Sequence, residues 1–427
     1  MNSDITRTRI GVVGLGYVGL PLALAMTEAG YDVVGVDIDS ERIDTLENGR
    51  SYVNDVSDQA VETALEDGFH PTTSYTELED VTGVSLCVPT PLRKSGQPNI
   101  SYVMDATDRL SEVLPDNCTV ILESTVYPGA TEEIVAETLT ENGREVGDDV
   151  FVSFSPERID PGNEEYGITD IPKVIGGVTP ACGDRAEALY DPVFDHLVRV
   201  GNSTEAELVK LLENTFRGIN IGLINELAMV ADQMDADIWN VVDAAATKPF
   251  GFMPFYPGPG LGGHCIPIDP QYLSWKAKQQ GIETRFIDLA DRINRGMPEY
   301  VVNRVVDVLN QNGTASIDAK VLVLGVAYKS NVSDTRESPA LDIIALLEDR
   351  GVTVEYHDPY VDELQIDEQT YTSEKLTDAT LAEQDCVLLA TDHREFEIDR
   401  VVEHSAAVFD TRNATAAHTD AEHVHRL

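Results

Sequence analysis

Short apolar runs rich in β-branched residues alternate with helix-length segments through the first part of this chain. The runs lie at residues 9–13, 32–36, 84–88, 119–122, 150–154 and 173–175. Strands that alternate with helices predict a parallel, doubly wound sheet with helices on both faces. An α/β fold is therefore the first prediction for the chain.

A glycine-rich turn follows the first run and opens the helix predicted at 20–29. Glycines at such a turn allow a tight bend, close approach of a pyrophosphate to the helix N-terminus, and close packing of helix on strand. Asp37 ends the second run, where a carboxylate accepts a ribose hydroxyl and repels a 2′-phosphate, so NAD is favoured over NADP. The predicted NAD-binding residues are Gly14, Gly16, Tyr17, Val18, Gly19 and Asp37. Arg42 either reaches the adenosine end or is a solvated helix residue.

One long helical stretch is predicted at 203–234. Thr204 and Glu207 fit a capping box at its start, and apolar residues recur along it at helical spacing. At about 1.5 Å per residue it spans about 45 Å, more than one small domain needs. It is expected to link two domains, and its apolar surface suits either a dimer interface or a buried interdomain spine.

Strand and helix signals resume at 320–324, 339–350, 352–356, 386–390 and 407–409, which predicts a second, smaller α/β domain. Its first turn, 325–329, lacks the three-glycine pattern, so no dinucleotide is assigned there. The segment 416–427 is polar and is expected to be a frayed tail whose histidines are solvated. The predicted domains are 1–200 (NAD-binding), 201–314 (central helical) and 315–427 (C-terminal).

The chain is strongly acidic. Thirty Lys and Arg against 75 Asp and Glu give a formal charge of −45, which makes nucleic acids and anionic membranes improbable partners. The acidic residues are spread evenly, as on halophilic proteins, where molar salt shortens the Debye length to about 3 Å; an ordinary acidic cytosolic protein is the alternative. The absence of a signal peptide and of a long apolar stretch predicts a cytoplasmic location. The five cysteines show no CxxC spacing, so neither a disulfide framework nor a metal site is expected.

The segment 247–272 is rich in glycine and proline and carries Cys265 near its middle. Glycines bring the backbone close to a ligand, prolines stiffen the loop, and a thiol in such a loop is placed as a nucleophile would be. Taken alone, Cys265 also fits a small buried residue.

Four motifs together resemble one known family. They are GLGYVG at 14–19, VKLLENTFRGINI with Lys210 and Asn214, PGPGLGGHCIPIDP around Cys265, and YKSNVSDTRESPA from Tyr328. Their order over nearly the whole chain is similar to that of the UDP-glucose/GDP-mannose dehydrogenase family. The resemblance implies an N-terminal Rossmann domain, a central long-helix dimerisation region and a C-terminal Rossmann-like domain. It also implies oxidation of the C6 alcohol of a nucleotide sugar to a carboxylate with two NAD, in a homodimer or higher homo-oligomer.

The four-electron chemistry explains the need for a cysteine. The first hydride transfer gives an aldehyde, which yields a second hydride only after a nucleophile has added to it. A thiolate forms a thiohemiacetal, and its oxidation gives a thioester that water cleaves. Because charge builds up on the C6 oxygen, a cation should point at that atom.

The resemblance assigns roles residue by residue. Lys210 and Asn214 steady the C6 oxygen, Asp269 supports Lys210 and the hydrolytic water, and His264 is left structural. The implied catalytic residues are Cys265, Lys210, Asn214, Asp269, Glu157 and Thr125. Thr90, Ser124, Thr125 and Arg336 join the cofactor residues. The implied substrate-binding residues are Glu157, Arg158, Lys210, Asn214, Tyr256, Gly258, Gly260, Gly262, Tyr328 and Lys329.

Departures from the UDP-glucose members bear on the substrate. Arg158 follows the glutamate of the SPE segment, Pro161 replaces a second glutamate, and Pro249, beside Lys248, stands where an arginine is expected. The chain is instead similar to the branch acting on UDP-N-acetylhexosamines. UDP-N-acetylglucosamine is the first choice, its galacto and manno epimers are hard to tell from it, and UDP-glucose is the main rival.

Two other classes remain as alternatives. A two-electron β-hydroxyacid-type dehydrogenase shares the Rossmann domain and a catalytic lysine, but it has no need of Cys265. An inactive nucleotide-sugar-binding protein predicts gaps among the catalytic residues, and the sequence has none. By the family resemblance, the product would be a sugar acid for cell-surface polysaccharide or glycan.

Overall fold

The computed structural model describes residues 8–93, 96–159, 167–263 and 266–427. The chain divides into two compact units. The first is Met1–Glu213 with Gln271–Ile282, and the second is Asn214–Pro270 with Glu283–Leu427.

The first unit is built on an eight-stranded sheet with the order β3-β2-β1-β4-β5-β6-β7-β8. The strands are β1 (Arg9–Val13), β2 (Asp32–Val36), β3 (Phe69–Thr72), β4 (Gly83–Leu86), β5 (Cys118–Leu122), β6 (Val150–Phe154), β7 (Lys173–Gly177) and β8 (Leu197–Arg199). All neighbours pair in parallel except β6 and β7, which pair antiparallel. The amino end of β7 therefore lies at the edge where the parallel strands end. The doubly wound sheet is confirmed, whereas the short strands β3 and β8 were not predicted.

The helices of the first unit connect these strands. They are α1 (Gly19–Glu28), α2 (Ser40–Glu47), α3 (Asp58–Asp67), α4 (Ser101–Val113), α5 (Glu137–Thr140), which continues the π-helical turn Thr131–Ala136, and α6 (Pro180–Tyr190). Side chains cap several of them: Asp39 accepts from the N–H of Glu41, and Thr179 from that of Cys182. Buried side chains of β1, β2, α1, α3 and α6 share one core.

Helix α7 (Ser203–Asp232) has 30 residues, close to the predicted range. The predicted capping box of Thr204 and Glu207 is wrong. Asn202 caps the helix through its Oδ1, 2.9 Å from the N–H of Glu205, and the Glu205 carboxylate accepts the N–H of Gly201 at 2.7 Å. Glu207 points inward instead and accepts hydrogen bonds from the segment after β5.

Three further helices are α8 (Ile238–Ala246), α9 (Asp269–Gln279) and α10 (Arg285–Gln311), which contains Pro298. Sequence analysis identified none of them. Within the four described ranges, no helix is both long and apolar enough to cross a membrane.

The second unit contains a parallel five-stranded sheet with the order β10-β9-β13-β14-β15. Its strands, with the hairpin β11–β12, are β9 (Lys320–Leu324), β10 (Thr353–His357), β11 (Glu363–Ile366), β12 (Gln369–Thr372), β13 (Cys386–Leu389), β14 (Val408–Asp410) and β15 (Val424–Arg426). The helices are α11 (Pro339–Asp349), α12 (Asp378–Ala382) and α13 (Ile398–His404). The predicted second α/β domain is confirmed.

The prediction of a frayed C-terminal tail is wrong. Strand β15 adds to the sheet beside β14, and Trp239 Nε1 donates to the Leu427 carbonyl at 2.9 Å. His418 Nε2 lies 2.8 Å from Asp399 Oδ1, and His423 Nε2 lies 2.9 Å from the Val402 carbonyl. The tail is ordered because these contacts, together with the buried Leu427 side chain, offset the polar composition.

Candidate active site

The glycine turn after β1 has the geometry that a dinucleotide needs. Gly14 has φ +89°, and a Cβ there would lie 2.5 Å from the Cys87 carbonyl oxygen. A Cβ at Gly19 would lie 1.7 Å from the carbonyl oxygen of Gly14, so this helix start requires glycine. A Cβ at Gly16 would have no neighbour within 4 Å, which leaves the backbone open to a ligand. These residues fit the pyrophosphate of NAD.

Asp37 holds the same turn from the end of β2. Its Oδ2 accepts the N–H of Leu15 at 2.8 Å, and its Oδ1 accepts the N–H of Asp39 at 3.0 Å. Arg42 Nη1 lies 3.3 Å from Asp37 Oδ2, and its guanidinium lies over the ring of Tyr52. Arg42 thus lies beside the acid predicted to bind the ribose, and its contact with the adenosine end stays a prediction.

Further predicted cofactor residues of the first unit follow β4, which pairs with β1, and β5, which pairs with β4. Ser124 is buried, and its hydroxyl donates to the Val88 carbonyl at 2.8 Å. Thr90 is also buried, and its carbonyl accepts from the hydroxyl of Tyr272 at 2.9 Å. Tyr17 is half-exposed on the turn before α1. The carboxyl ends of neighbouring parallel strands bring these residues to one edge of the sheet.

Glu157 and Lys210 meet at this edge, and both are buried. Glu157 follows β6, and its backbone carbonyl accepts from Lys210 Nζ of α7 at 2.6 Å. Its carboxylate accepts the N–H of Ile159 and lies 3.6 Å from Lys173 Nζ. The hydroxyl of Ser155, also buried, has no hydrogen-bond partner among the described residues. Thr125 is partly buried after β5, the neighbouring strand.

Arg158 makes contacts within the protein. Its Nη2 and Nε lie 2.6 and 3.2 Å from the two carboxylate oxygens of Glu213, and its Nη1 donates to the Pro172 carbonyl at 2.7 Å. Glu213 immediately precedes Asn214 on α7. The Arg158 guanidinium thus ties the SPE segment, residues 155–157, to helix α7. This structural contact adds to the substrate-binding role that the family resemblance implies for Arg158.

In the second unit, the structure brings Asn214 and Asp269 together. Asn214 Nδ2 donates to Asp269 Oδ2 at 2.6 Å, and Asp269 is buried at the start of α9. This contact orients the Asn214 amide. Cys265 and His264, the centre of the predicted nucleophile loop, lie outside the described residues.

The loop that leads to Cys265 packs on the segment after β9. The Gly263 N–H donates to the Arg336 carbonyl at 3.0 Å. A Cβ at Gly262 would lie 2.7 Å from Tyr328 Cβ, so a larger residue there would push the two segments apart. Lys329 follows Tyr328 and is partly exposed. The Arg336 guanidinium pairs with the Asp334 carboxylate at 2.6 Å.

Tyr256 precedes these glycines and is half-exposed. Its ring stacks on Trp239 with centroids 5.7 Å apart, and its hydroxyl donates to Asp243 Oδ1 at 2.8 Å. These contacts fix the side chain. Its predicted role in substrate binding stays a prediction.

Sequence analysis missed Arg412, which follows β14. A Cβ at Gly258 would lie 3.0 Å from Arg412 Nη1, and Arg412 Nε donates to the Ala390 carbonyl at 2.7 Å. Burial lowers the pKa of Arg412 to about 10, although Asp410 and Asp392 act to raise it. An arginine two residues after a buried strand, at the edge of the sheet where ligands bind, was the available signal.

A buried amide pair was missed as well. The Gly258 N–H donates to Asn225 Oδ1 at 3.0 Å, and Asn225 Nδ2 donates to Asn294 Oδ1 at 2.9 Å. Asn294 Nδ2 in turn donates to the Gly218 carbonyl at 3.1 Å. The signal was an asparagine on the apolar stripe of each of two long helices.

The fold and this site define a dehydrogenase with a dinucleotide on its first sheet. Three segments match the profiles of the UDP-glucose/GDP-mannose dehydrogenase family: its NAD binding domain at residues 8–194, its central domain at 204–296 and its UDP binding domain at 322–417. The chain belongs to this family. It is an NAD-dependent nucleotide-sugar dehydrogenase, and the family, fold and cofactor predictions are confirmed.

Similar proteins cover nearly the same length. A UDP-N-acetyl-D-mannosamine dehydrogenase of Methanococcus maripaludis strain S2 is 33% identical over 96% of this chain and 94% of its own. A UDP-N-acetyl-D-glucosamine 6-dehydrogenase of Pseudomonas aeruginosa is 38% identical over 83% of both chains. The solved UDP-D-ManNAc dehydrogenase of Pyrococcus horikoshii superposes with a TM-score of 0.87 at 33% identity, covering 95% of this chain and 96% of its own.

Proposed function

We propose that this protein oxidises the C6 alcohol of a UDP-N-acetylhexosamine to the uronic acid with two NAD, through covalent intermediates on Cys265. The contact between Lys210 Nζ and the Glu157 carbonyl, at 2.6 Å, is the observation that carries the proposal. It holds the buried amine of Lys210 against the backbone of the buried Glu157, at the edge of the NAD-binding sheet where the parallel strands end.

Each residue has a task that its contacts allow. NAD, when bound, accepts a hydride from C6 at each of two stages. Lys210 donates one of its three N–H groups to the Glu157 carbonyl, so the other two can stabilise the C6 oxyanion. Asn214 lies one turn further along α7, and Asp269 orients its amide. The family resemblance assigns this amide to the C6 oxygen as well.

The covalent steps conserve atoms and electrons. After C6 has lost a hydride and its hydroxyl has lost a proton to water, the Cys265 thiolate adds to the aldehyde carbon and forms the alkoxide of a thiohemiacetal. Loss of the second hydride gives a thioester. Water then attacks the acyl carbon, its proton passes to the Glu157 carboxylate, and the C–S bond breaks to release the acid and the thiolate. Thr125 would help to position this water.

Cations of the second unit suit a diphosphate. Lys329 and Arg412 both lie within the segment 322–417 that matches the UDP binding domain. In a protein of formal charge −45, local cations must offset a repulsive field before a diphosphate can bind. We therefore assign the diphosphate of the substrate to these two side chains.

UDP-N-acetylglucosamine remains the first sugar to test. The Pseudomonas aeruginosa relative, 38% identical, is named for it, whereas the Methanococcus maripaludis relative is named for the mannosamine epimer. Pro249 stands where UDP-glucose members carry an arginine, and the absence of that arginine argues against UDP-glucose. Pro161, the other departure, lies outside the described residues.

A homodimer is part of the proposal. Large apolar side chains of the second unit remain exposed along α7 and α10, and exposed apolar side chains in such number are typical of an interface between subunits. They include Phe216, Leu223, Leu227, Val230, Phe286 and Leu289.

The acidic composition further supports activity in molar salt. The product would be used in the synthesis of cell-surface polysaccharide.

The test incubates the pure protein in molar KCl with NAD and, separately, UDP-N-acetylglucosamine, UDP-N-acetylgalactosamine, UDP-N-acetylmannosamine and UDP-glucose. We expect two NADH per sugar consumed with an N-acetylated substrate. One NADH per sugar, with an aldehyde or ketone accumulating, would overturn the four-electron mechanism.

A further inference from the structure

A buried charged cluster lies beside Glu157 and has no part in the mechanism described so far. Lys173 Nζ is 2.5 Å from Glu123 Oε2, and the Tyr190 hydroxyl donates to Glu123 Oε1 at 2.5 Å. The hydroxyl of Ser85 lies 2.9 Å from that of Tyr190. All four side chains are buried, and Lys173 is only 5% exposed although lysine is normally a surface residue.

The sheet topology explains why the cluster forms here. Glu123 directly follows β5, and Glu157 follows the neighbouring β6. Strand β7 runs antiparallel to β6, so its first residue, Lys173, lies at the edge where β5 and β6 end. A parallel strand in that place would have put its first residue at the opposite edge.

The charges in the cluster do not balance. Lys173 faces two carboxylates, those of Glu123 and Glu157, and the rings of Tyr190 and Phe194 at 5.9 and 5.3 Å. Burial acts to lower the pKa of Lys173, but the two carboxylates outweigh it and raise that pKa. Burial raises the pKa of the nearby Cys87 thiol, which stays neutral. Burial also raises the pKa of Glu123, against its hydrogen bonds from Lys173 and Tyr190. Lys173 is the cation of the cluster, and it pairs with both Glu123 and Glu157.

Lys173 also holds the backbone of the SPE segment. Its Nζ lies 3.4 Å from the Pro156 carbonyl in addition to 3.6 Å from the Glu157 carboxylate. The next carbonyl, that of Glu157, is the one that accepts from Lys210. A shift of Lys173 would thus disturb the carboxylate that receives the proton from water and the carbonyl that anchors Lys210.

We propose that Lys173 is a positioning residue for the oxidation: it pairs with the Glu157 carboxylate and fixes the Pro156–Glu157 backbone, while Glu123 and Tyr190 hold Lys173 itself. The inference rests on the proposed function of Glu157 and Lys210. Its chemical consequence falls on thioester hydrolysis, in which Glu157 takes the proton of the attacking water as the C–S bond breaks.

The experiment compares Lys173→Met, Lys173→Arg and, as a matched control, Lys375→Met at an exposed lysine, with the UDP-sugar that the wild type oxidises. Misplacing a general base costs about 10²-fold or more. We expect Lys173→Met to bind NAD normally, release a first burst of two NADH per site, then turn over about 10²-fold more slowly, with an acyl adduct on Cys265 visible by intact mass. Lys173→Arg should recover part of the rate. A folded Lys173→Met with the kcat of Lys375→Met would overturn the proposal.

A double variant separates positioning from charge balance. Lys173→Met alone leaves Glu123 buried without its cation, which could unfold the unit. Lys173→Met combined with Glu123→Gln removes both charges, so it should fold, yet Glu157 still lacks its partner. We expect slow turnover and an acyl adduct again. Restoration of the wild-type rate would show that Lys173 only neutralises Glu123.

The readout remains available if the proposed function fails. A wild type that releases fewer than two NADH with every sugar refutes the function, not the contact. Hydrogen exchange of the peptide 151–159 then tests the contact, because the Ile159 N–H donates to the Glu157 carboxylate. The exchange rate of this peptide should rise at least tenfold in the double variant. An unchanged exchange rate would overturn the positioning role.

Discussion

The buried amide pair of the second unit gives a prediction whose size follows from a count of polar groups. Replacing Asn225 by alanine leaves the Gly258 N–H and Asn294 Oδ1 without their partner, and Asn225 is fully buried. An unsatisfied buried polar group costs about 1–3 kcal/mol. We therefore expect Asn225→Ala to lower the free energy of unfolding by about 3 kcal/mol.

The same count predicts strong coupling between the two asparagines. Asn294→Ala leaves mainly Asn225 Nδ2 without a partner, which should lower the free energy of unfolding by about 1.5 kcal/mol. The Gly218 carbonyl lies within α7 and keeps its helical hydrogen bond, so its loss counts little. The double variant leaves only the Gly258 N–H without a partner, so its free energy of unfolding should again fall by about 1.5 kcal/mol. The double variant should thus be more stable than Asn225→Ala, and the coupling energy should be about 3 kcal/mol.

Urea denaturation in molar KCl measures all three variants against the wild type. We also expect turnover to fall in Asn225→Ala, because Gly258 begins the glycine loop that leads to Cys265. Additive losses, or a loss below about 0.5 kcal/mol in Asn225→Ala, would refute the assignment of these amides as a satisfied pair.

Three further predictions concern the nucleophile, a buried acid and the apolar surface. Cys265→Ser should retain NAD binding but make no uronic acid, because an alkoxide is a poorer leaving group than a thiolate; full acid production, assayed by mass spectrometry, would contradict the mechanism. Burial raises the pKa of Glu207 to about 7, against the hydrogen bonds it accepts, so its contribution to stability is complete below its ordinary pKa and is lost as pH rises through about 7. The unfolding free energy of Glu207→Gln should consequently depend less on pH between about 5 and 8 than that of the wild type, and equal slopes would refute this. If the protein forms the proposed dimer, Phe286→Asp, at a side chain 75% exposed, should give a monomer in light scattering; a wild type that is already monomeric would exclude the interface.

The parallel core could be predicted because its strands are continuous apolar runs. β1 and β2 match the predicted ranges, since each is buried on both faces and bounded by turn residues. β3 was missed because it is a short edge strand whose four residues, FHPT, include a proline. Such a strand is defined by its neighbour β2 and not by its own composition.

The site was harder to predict where polar side chains are buried and bond to groups inside the protein. Glu207 fitted a helix cap by its spacing, yet Asn202 and Glu205 take that role two residues earlier, and Glu207 turns inward to the Thr131 N–H and hydroxyl. Lys173 and Asn225 likewise have partners distant in sequence. No local pattern reveals such contacts, because they depend on which strand or helix the fold places alongside.

The two sheets use the same device to hold their first turn, an acid that directly follows the neighbouring strand. Asp358 follows β10 as Asp37 follows β2, and its Oδ2 accepts the N–H groups of Val326 and Ala327 at 2.7 and 3.1 Å. In the second sheet, His393 Nε2 lies 3.1 Å from that same oxygen.

The consequence for Asp358 is a carboxylate satisfied from within. Burial acts to raise its pKa, but the hydrogen bonds from His393 and from backbone N–H groups outweigh burial and lower it. The second sheet thus keeps an acid that holds its first turn, but this turn lacks the three-glycine pattern that opens the first turn to a pyrophosphate. We therefore expect no dinucleotide on the second sheet, and the diphosphate contacts of Lys329 and Arg412 stay a prediction.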